Sequence, residues 1–260
     1  MINLKNRREI DDMARGGAII AELLREVGLR IRPGLTTGEI DEFCETFIVS
    51  HSGAVPAFKG LYGFPGSVCV SVNEEVVHGI PSRTRTLSEG DIVSVDVGVK
   101  LDGWCSDSAW TYAVGEIDEP AATLLSVTEE ALMSAIDAAR PGNHVGDIGA
   151  AVMRVVEGTG FGIIRDLVGH GVGRQVHEEP QVPNVGRAGY GPLLQAGMVL
   201  AIEPMLSAGS DRIRTLDDQW TVVTSDGMPS AHFEHTVAIT EDGPRVLTTV
   251  LEPATRGDAT

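Results

Sequence analysis

The chain has 260 residues, 42% of them hydrophobic, with 31 Gly and 13 Pro. That composition supports one large packed domain or two small ones and excludes a disordered or low-complexity chain. Twenty basic residues against 37 acidic ones give a formal net charge of −17, which excludes a nucleic-acid surface spread over the whole molecule and leaves local basic patches open.

Cys44, Cys69 and Cys105 form an odd set at no metal-like or disulfide-like spacing, so a reducing cytoplasm is the expected compartment. The opening MINLKNRREIDDMARGG lacks the apolar stretch of a signal peptide. No apolar run approaches the ~20 residues of a membrane span.

In chain order, Asn6 with Glu9 opens a first helix as a capping box, followed by Ile10, Met13, Ile20, Leu24 and Val27 on one face. Thr36 with Glu39 opens a second, which presents Ile40, Phe43, Cys44, Phe47 and Ile48. Arg140-Pro141-Gly142, Gly146, Asp147 and Ile148 then repeat Arg32-Pro33-Gly34, Gly38, Glu39 and Ile40 at an offset of 108. A helix with Ile148, Ala151, Val152, Val155 and Val156 inward follows. At an offset of 107, LQAGMVLAIE (194–203) repeats LSEGDIVSVD (87–96), and both end an apolar strand in a carboxylate.

These echoes predict a duplicated α/β unit, about 1–119 and 120–252, forming a single catalytic domain over 1–252 with a C-terminal tail at 253–260. Strands are expected at 87–99, 104–114, 198–206, 220–225 and 232–240, joined by hairpin-like turns. The predicted class is therefore α+β with a largely antiparallel sheet.

Four carboxylates sit on these apolar strands. A hairpin turning at Lys100-Leu101-Asp102-Gly103 would bring Asp96 and Asp107 to or near opposite positions, with Cβ atoms ~5 Å apart. Glu203 stands at the repeat-equivalent of Asp96, and Glu234 lies in an alternating strand. Each alone fits a solvated strand face; four together would be costly to desolvate without cations. His170, between glycines, completes a set that suits Mn, Fe, Co or Zn, and two dications balance four carboxylates.

His78 and His177 head similar tetrads, HGIP and HEEP, and are candidate donors to a substrate carbonyl and amide. His51, His144 and His232 read as structural, His235 as facing away from Glu234, and Glu178 and Glu179 as solvated. The Gly158–Gly162 run follows a helix and reads as a turn, not a nucleotide loop; there is no Walker sequence, HExxH or GxSxG.

At these residues the chain resembles the type I methionine aminopeptidases, which have the pita-bread fold, from about Ile10 to Thr249. The most specific stretches are GFPGSVCVSVNEEVVHGIP (63–81), DIVSVDVGVKLDGWCSDSAWTYAVG (91–115), GHGVGRQVHEEPQV (169–182), AIEPM (201–205) and DDQWTVVTSDGMPSAHFEHTVAIT (217–240). The resemblance implies metal ligands at Asp96, Asp107, His170, Glu203 and Glu234 and substrate contacts from His78 and His177. It also implies a methionine pocket of Phe58, Phe64, Cys69, Val176 and Trp220, although relatives often carry Tyr where Phe64 stands and a larger apolar residue at Val176.

The implied reaction is removal of the initiator methionine from nascent proteins with a small second residue. A hydroxide bridging two metals (Co, Mn, Fe or Zn) would attack the scissile carbonyl, Glu203 would carry the proton, His177 would stabilise the oxyanion and His78 would hold the amide. The implied partner is a nascent chain at the ribosome, met by a monomer without nucleic-acid specificity or membrane attachment. Lys5, Arg7, Arg8, Arg83 and Arg85 are the basic residues available for such a contact, each also consistent with a solvated face. Two alternatives share the fold: an X-Pro aminopeptidase-like enzyme, and a non-catalytic peptide- or ribosome-binding adaptor.

Overall fold

A computed structural model describes residues 2–249; the tail expected at 253–260 lies outside the described residues. Helix α1 (Arg7–Gly28) begins at a complete Asn6–Glu9 capping box, and its buried stripe runs from Ile10 to Val27. Helix α2 (Thr37–Ser50) starts at the matching Thr36–Glu39 box. Strands β1 (Ala54–Pro56), β2 (Cys69–Val72) and β3 (Glu75–Val77) follow, then the long hairpin of β4 (Ile92–Leu101) and β5 (Trp104–Ala113).

Asp102 and Gly103, with φ of 50° and 83°, form the two-residue turn of that hairpin, the geometry for which an Asp-Gly pair is favoured. Its register pairs Gly98 with Asp107 and Asp96 with Ala109. The two aspartates are thus not directly opposite but diagonal neighbours on one face, two residues further apart than direct pairing requires.

Helices α3 (Glu119–Ala138) and α4 (Val145–Val156) pack on each other and precede the second set of strands. Helix α3, capped by the Asp118 carboxylate accepting from the Ala121 amide at 2.8 Å, is an element that the sequence patterns above do not single out. The remaining strands are β6 (Gly162–Ile163), β7 (Val168–Gly171), β8 (Glu178–Pro183), β9 (Val199–Ile202), β10 (Met205–Ser207), β11 (Ile213–Thr215), β12 (Val222–Thr224), β13 (Ser230–His232), β14 (His235–Thr240) and β15 (Gly243–Val246).

Every strand pairing given by the register is antiparallel. One sheet has β4 paired with β1, β2 and β5; another runs β15-β14-β9-β7-β8. Helices α1 and α2 pack against the first sheet over Ile20, Leu23 and Ile48, while α3 and α4 cover the second over Leu132, Ile148 and Val152. Similar junctions recur: Gly34 and Gly142, with φ of 87° and 91°, donate their amides to the carbonyls of Leu87 and Leu194.

The sheets meet along β5 and the approach to β14, and side-chain hydroxyls stitch the join. Thr236 Oγ1 accepts from the Asp107 amide at 2.9 Å and donates to its carbonyl at 2.7 Å. Thr111 Oγ1 holds the His232 backbone the same way, at 3.0 and 2.8 Å. Between them the Glu234 amide donates to the Ala109 carbonyl at 2.9 Å. This reciprocal seam fixes the inner face on which the acidic residues stand.

Candidate metal centre

A cavity of about 830 Å³ opens over the seam. Its floor carries Asp96 from β4, Asp107 from β5, His170 from β7, Glu203 just after β9 and Glu234 just before β14. Phe58, Phe64, Cys69, Trp220, His78 and His177 form the walls. Donor atoms of Asp107, His170 and Glu234 all lie within 4.8 Å of one another, and His170 Nε2 is 3.5 Å from Glu203 Oε1 and 3.9 Å from Asp107 Oδ2.

The electrostatics of the floor are severe. Burial, together with the charges of their neighbours, pushes the Asp107, Glu203 and Glu234 carboxyls well above the usual carboxylate range. Burial also raises Asp96 to about 7, against the pull of a hydrogen bond with Asp107. His170 is driven down to about 4 by burial and by His177, so its ring is neutral near pH 7.

Asp96 Oδ1, Asp107 Oδ1 and Glu234 Oε1 are buried with no hydrogen-bond partner. Clustered acceptors without donors call for a cation. His170 fits as a donor to it: Nδ1 is 3.0 Å from the Gly171 carbonyl, which places the proton there and turns the Nε2 lone pair toward the carboxylates. Hard oxygens with one such imidazole match a divalent transition ion.

The walls are apolar and aromatic. Trp220 meets Phe64 edge-on at 5.1 Å and His78 at 6.5 Å between ring centroids, and His177 lies 4.5 Å from the His170 ring. The Trp220 loop is tied by Asp218, whose Oδ1 accepts from the amides of Trp220 and Thr221, both at 2.8 Å. Behind Phe64 and Cys69, Asp41 Oδ1 accepts from the amides of Ser67 and Val68 at 2.7 and 3.1 Å.

Val176 is buried and packs in one cluster with Phe58, Phe64, Cys69 and Trp220. Other positions differ from the sequence expectations. His232, expected to be structural, belongs to the cavity lining, because Thr111 turns its strand onto the inner face. Glu178 is not a solvated acid and Lys5 not a surface cation: their side chains, 10% and 4% exposed, pair at 2.9 Å. Arg83 is paired with Glu42, while Arg7, Arg8 and Arg85 are exposed.

His235 is absent from the cavity lining and bonds Thr248 Oγ1 at 2.8 Å, His51 packs on Phe47, His144 caps α4 and Glu179 is exposed. Tyr62, not singled out by any sequence pattern, stacks on His177 at 6.0 Å from an exposed, left-handed turn (φ 51°). The signal for it was the flanking Gly60 and Gly63.

An antiparallel double sheet with buried acids and a lone-pair imidazole facing a cavity defines a metallohydrolase type of centre. The model of metallopeptidase family M24 matches residues 11–241. A methionine aminopeptidase of Clostridium perfringens is 54% identical over 250 residues, covering 96% of this chain and all of that one. Methionine aminopeptidase 1 of Bacillus subtilis is 51% identical at the same coverage.

The crystal structure of the Thermotoga maritima methionine aminopeptidase superposes with a TM-score of 0.93 at 48% identity, over 96% of this chain and 100% of that one. A prolidase from Pyrococcus horikoshii, at 23% identity and TM-score 0.77, covers 97% of this chain and 65% of its own length and shares the fold. The chain belongs to the methionine aminopeptidases of metallopeptidase family M24, with the pita-bread fold.

Proposed function

We propose that this enzyme removes the initiator methionine from nascent proteins with a small second residue, and that Asp96, Asp107, His170, Glu203 and Glu234 hold two divalent ions for it. The observation that carries this is the set of unpartnered, buried carboxylate oxygens of Asp96, Asp107 and Glu234 gathered by the free Nε2 of His170 at the base of an apolar cavity. Bound there, divalent ions supply Lewis acidity, polarising the scissile carbonyl and making water acidic enough to attack near neutral pH.

The chain's own residues do the rest. Phe58, Phe64, Cys69 and Trp220 offer a dry wall suited to the flexible, unbranched methionine side chain. His177, at the rim beside Tyr62, donates from its ring to the oxygen on which negative charge develops, and His78 holds the scissile amide. Glu203 takes the proton from the attacking water and returns it to the leaving amine nitrogen. Residues 1–252 act as one catalytic unit, because the proposed ligands come from both sides of the seam.

The proposed setting is a monomer working in the cytoplasm on chains leaving the ribosome; separately, among the described residues no helix is long and apolar enough to cross a membrane. The test is cleavage of a Met-Ala-Ser peptide by chelator-stripped protein titrated with Mn, Fe, Co and Zn in turn. Methionine release should be absent without an ion and restored by at least one. Undiminished release in chelator, or cleavage confined to peptides with proline second, would overturn the assignment.

A further inference from the structure

Glu203 stands between two imidazoles. Its Oε1 is 3.5 Å from His170 Nε2, and its Oε2 is 3.7 Å from His232 Nε2. His170 has its proton fixed on Nδ1 by the Gly171 carbonyl. His232 is held differently: it is 1% exposed and neither ring nitrogen has a hydrogen-bond partner. The acceptors that face it, Glu203 Oε2 at 3.7 Å and Glu234 Oε2 at 3.8 Å, are both on the Nε2 side.

The position is built, not incidental. Thr111 lies four residues after Asp107 and grips the backbone of His232; Thr236 lies four residues after His232 and grips the backbone of Asp107. His232 therefore occupies, on its side of the seam, the place that Asp107 holds on the other. The next residue, Phe233, is wedged edge-on against Trp110 at 4.7 Å, which leaves the local backbone little freedom.

A neutral imidazole has one proton to place. On Nδ1 it would be buried without an acceptor, whereas on Nε2 it faces two carboxylates. The first arrangement would offer an ion a lone pair, as His170 does; the second makes His232 a donor. We propose that His232 is a positioning residue that donates its Nε2 proton to Glu203 Oε2, leaving Oε1 on the side of His170. The present 3.7 Å exceeds hydrogen-bonding range, so the proposal requires the Glu203 carboxylate to turn toward His232. The inference rests on the assignment of Glu203 as ligand and proton carrier.

The test uses the full chain labelled with 15N-histidine, with long-range 1H–15N spectra recorded metal-free and with Zn2+, and ring signals assigned through His232→Gln and His170→Ala. The expected result is an Nε2-protonated His232 whose Nε2 is unshifted by Zn2+, beside an Nδ1-protonated His170. Calorimetric titration with Zn2+ should show ~10–100-fold weaker binding in His232→Leu, and binding within about threefold of the parent in His232→Gln, which keeps an N–H donor.

An Nδ1-protonated His232, a Zn2+-shifted His232 Nε2, or equal losses in the Leu and Gln variants would overturn the proposal. If the parent protein binds no Zn2+, the metal assignment fails by itself, and the His232 tautomer in the metal-free protein still decides the donor role.

Discussion

Lys5 Nζ lies 2.9 Å from Glu178 Oε2, joining the segment before α1 to the loop that carries His177. Glu178 also accepts from the amides of Arg174 and Gln175 at 2.8 and 3.3 Å, so one carboxylate ties the loop to itself and to the start of the chain. Removing one partner of a buried pair leaves the other uncompensated, and Lys5→Met should cost about 3–5 kcal/mol in urea unfolding. In Lys5→Met/Glu178→Gln the second change should recover part of that loss; strictly additive losses would show that the pair is not coupled.

The same pair has a pH signature. Burial raises the Glu178 carboxyl, but its hydrogen bond with Lys5, the Lys5 charge and the hydrogen bonds from the Gln175 amide and Asn3 together outweigh burial, and the net shift is downward. A carboxyl depressed in the folded state contributes stability above the ordinary glutamate range and loses it as pH falls through the folded value. Acid titration of stability should therefore be flatter in Glu178→Gln than in the parent, as read from urea midpoints across the acid range.

Thr236→Val keeps the shape of the side chain and deletes both hydrogen bonds to the Asp107 backbone. The Asp107 amide would be left buried without its partner, at a cost of about 1–3 kcal/mol, and the carboxylate above it would lose its fixed aim. We expect metal affinity to fall roughly 10–100-fold with the fold retained, checked by calorimetry and circular dichroism. Unchanged affinity would mean that the seam does not set the position of Asp107.

Metal and pH act on one another through the floor. Asp96, Asp107, Glu203 and Glu234 have folded-state pKa values raised above the unfolded ones. Their contribution to the metal-free protein is whole below the unfolded values and is lost as pH rises through the folded ones, about 7 for Asp96. An ion reverses the slope, since it binds the ionised groups. The gap in melting temperature between Mn2+-loaded and metal-free protein should widen from about pH 5.5 to about pH 7.5; a constant gap would contradict proton–metal competition at these carboxyls.

The cavity wall and the apolar cluster packed with it should separate in kinetics. Trp220→Ala removes an aromatic face beside Phe64 and His78, and a loss of about 2 kcal/mol of apolar contact corresponds to roughly a 30-fold higher KM for a methionyl peptide. Val176→Ala, which shortens a buried residue packed with Phe58, Phe64 and Cys69, should cost about 1–2 kcal/mol of stability and raise KM less than Trp220→Ala does. Steady-state kinetics with thermal melts distinguish the two.

Much of the floor was legible in the sequence because a carboxylate in the middle of an apolar strand is conspicuous: Asp96 and Glu203 announce themselves by the valines, leucines and isoleucines around them. The capping boxes at Asn6 and Thr36 were legible for the same reason, a local pattern with a local cause. What was not legible depends on distant contacts. Glu178 and Lys5 are ordinary charged residues until the fold brings them together. His232 joins the cavity because Thr111, far away in sequence, sets its strand. Helix α3 mixes small and polar residues, so its buried face is weakly marked, and the two-residue offset of Asp96 from Asp107 follows from the hairpin turn.

The split of the floor across the seam has a consequence for synthesis. Asp96 and Asp107 are made early, His170 and Glu203 well afterwards, and Glu234 only as β14 is reached. On the proposed ligand set, a partly translated copy would lack some of the ion-holding groups and should not release methionine. Catalytic competence would then come late, with the arrival of Glu234.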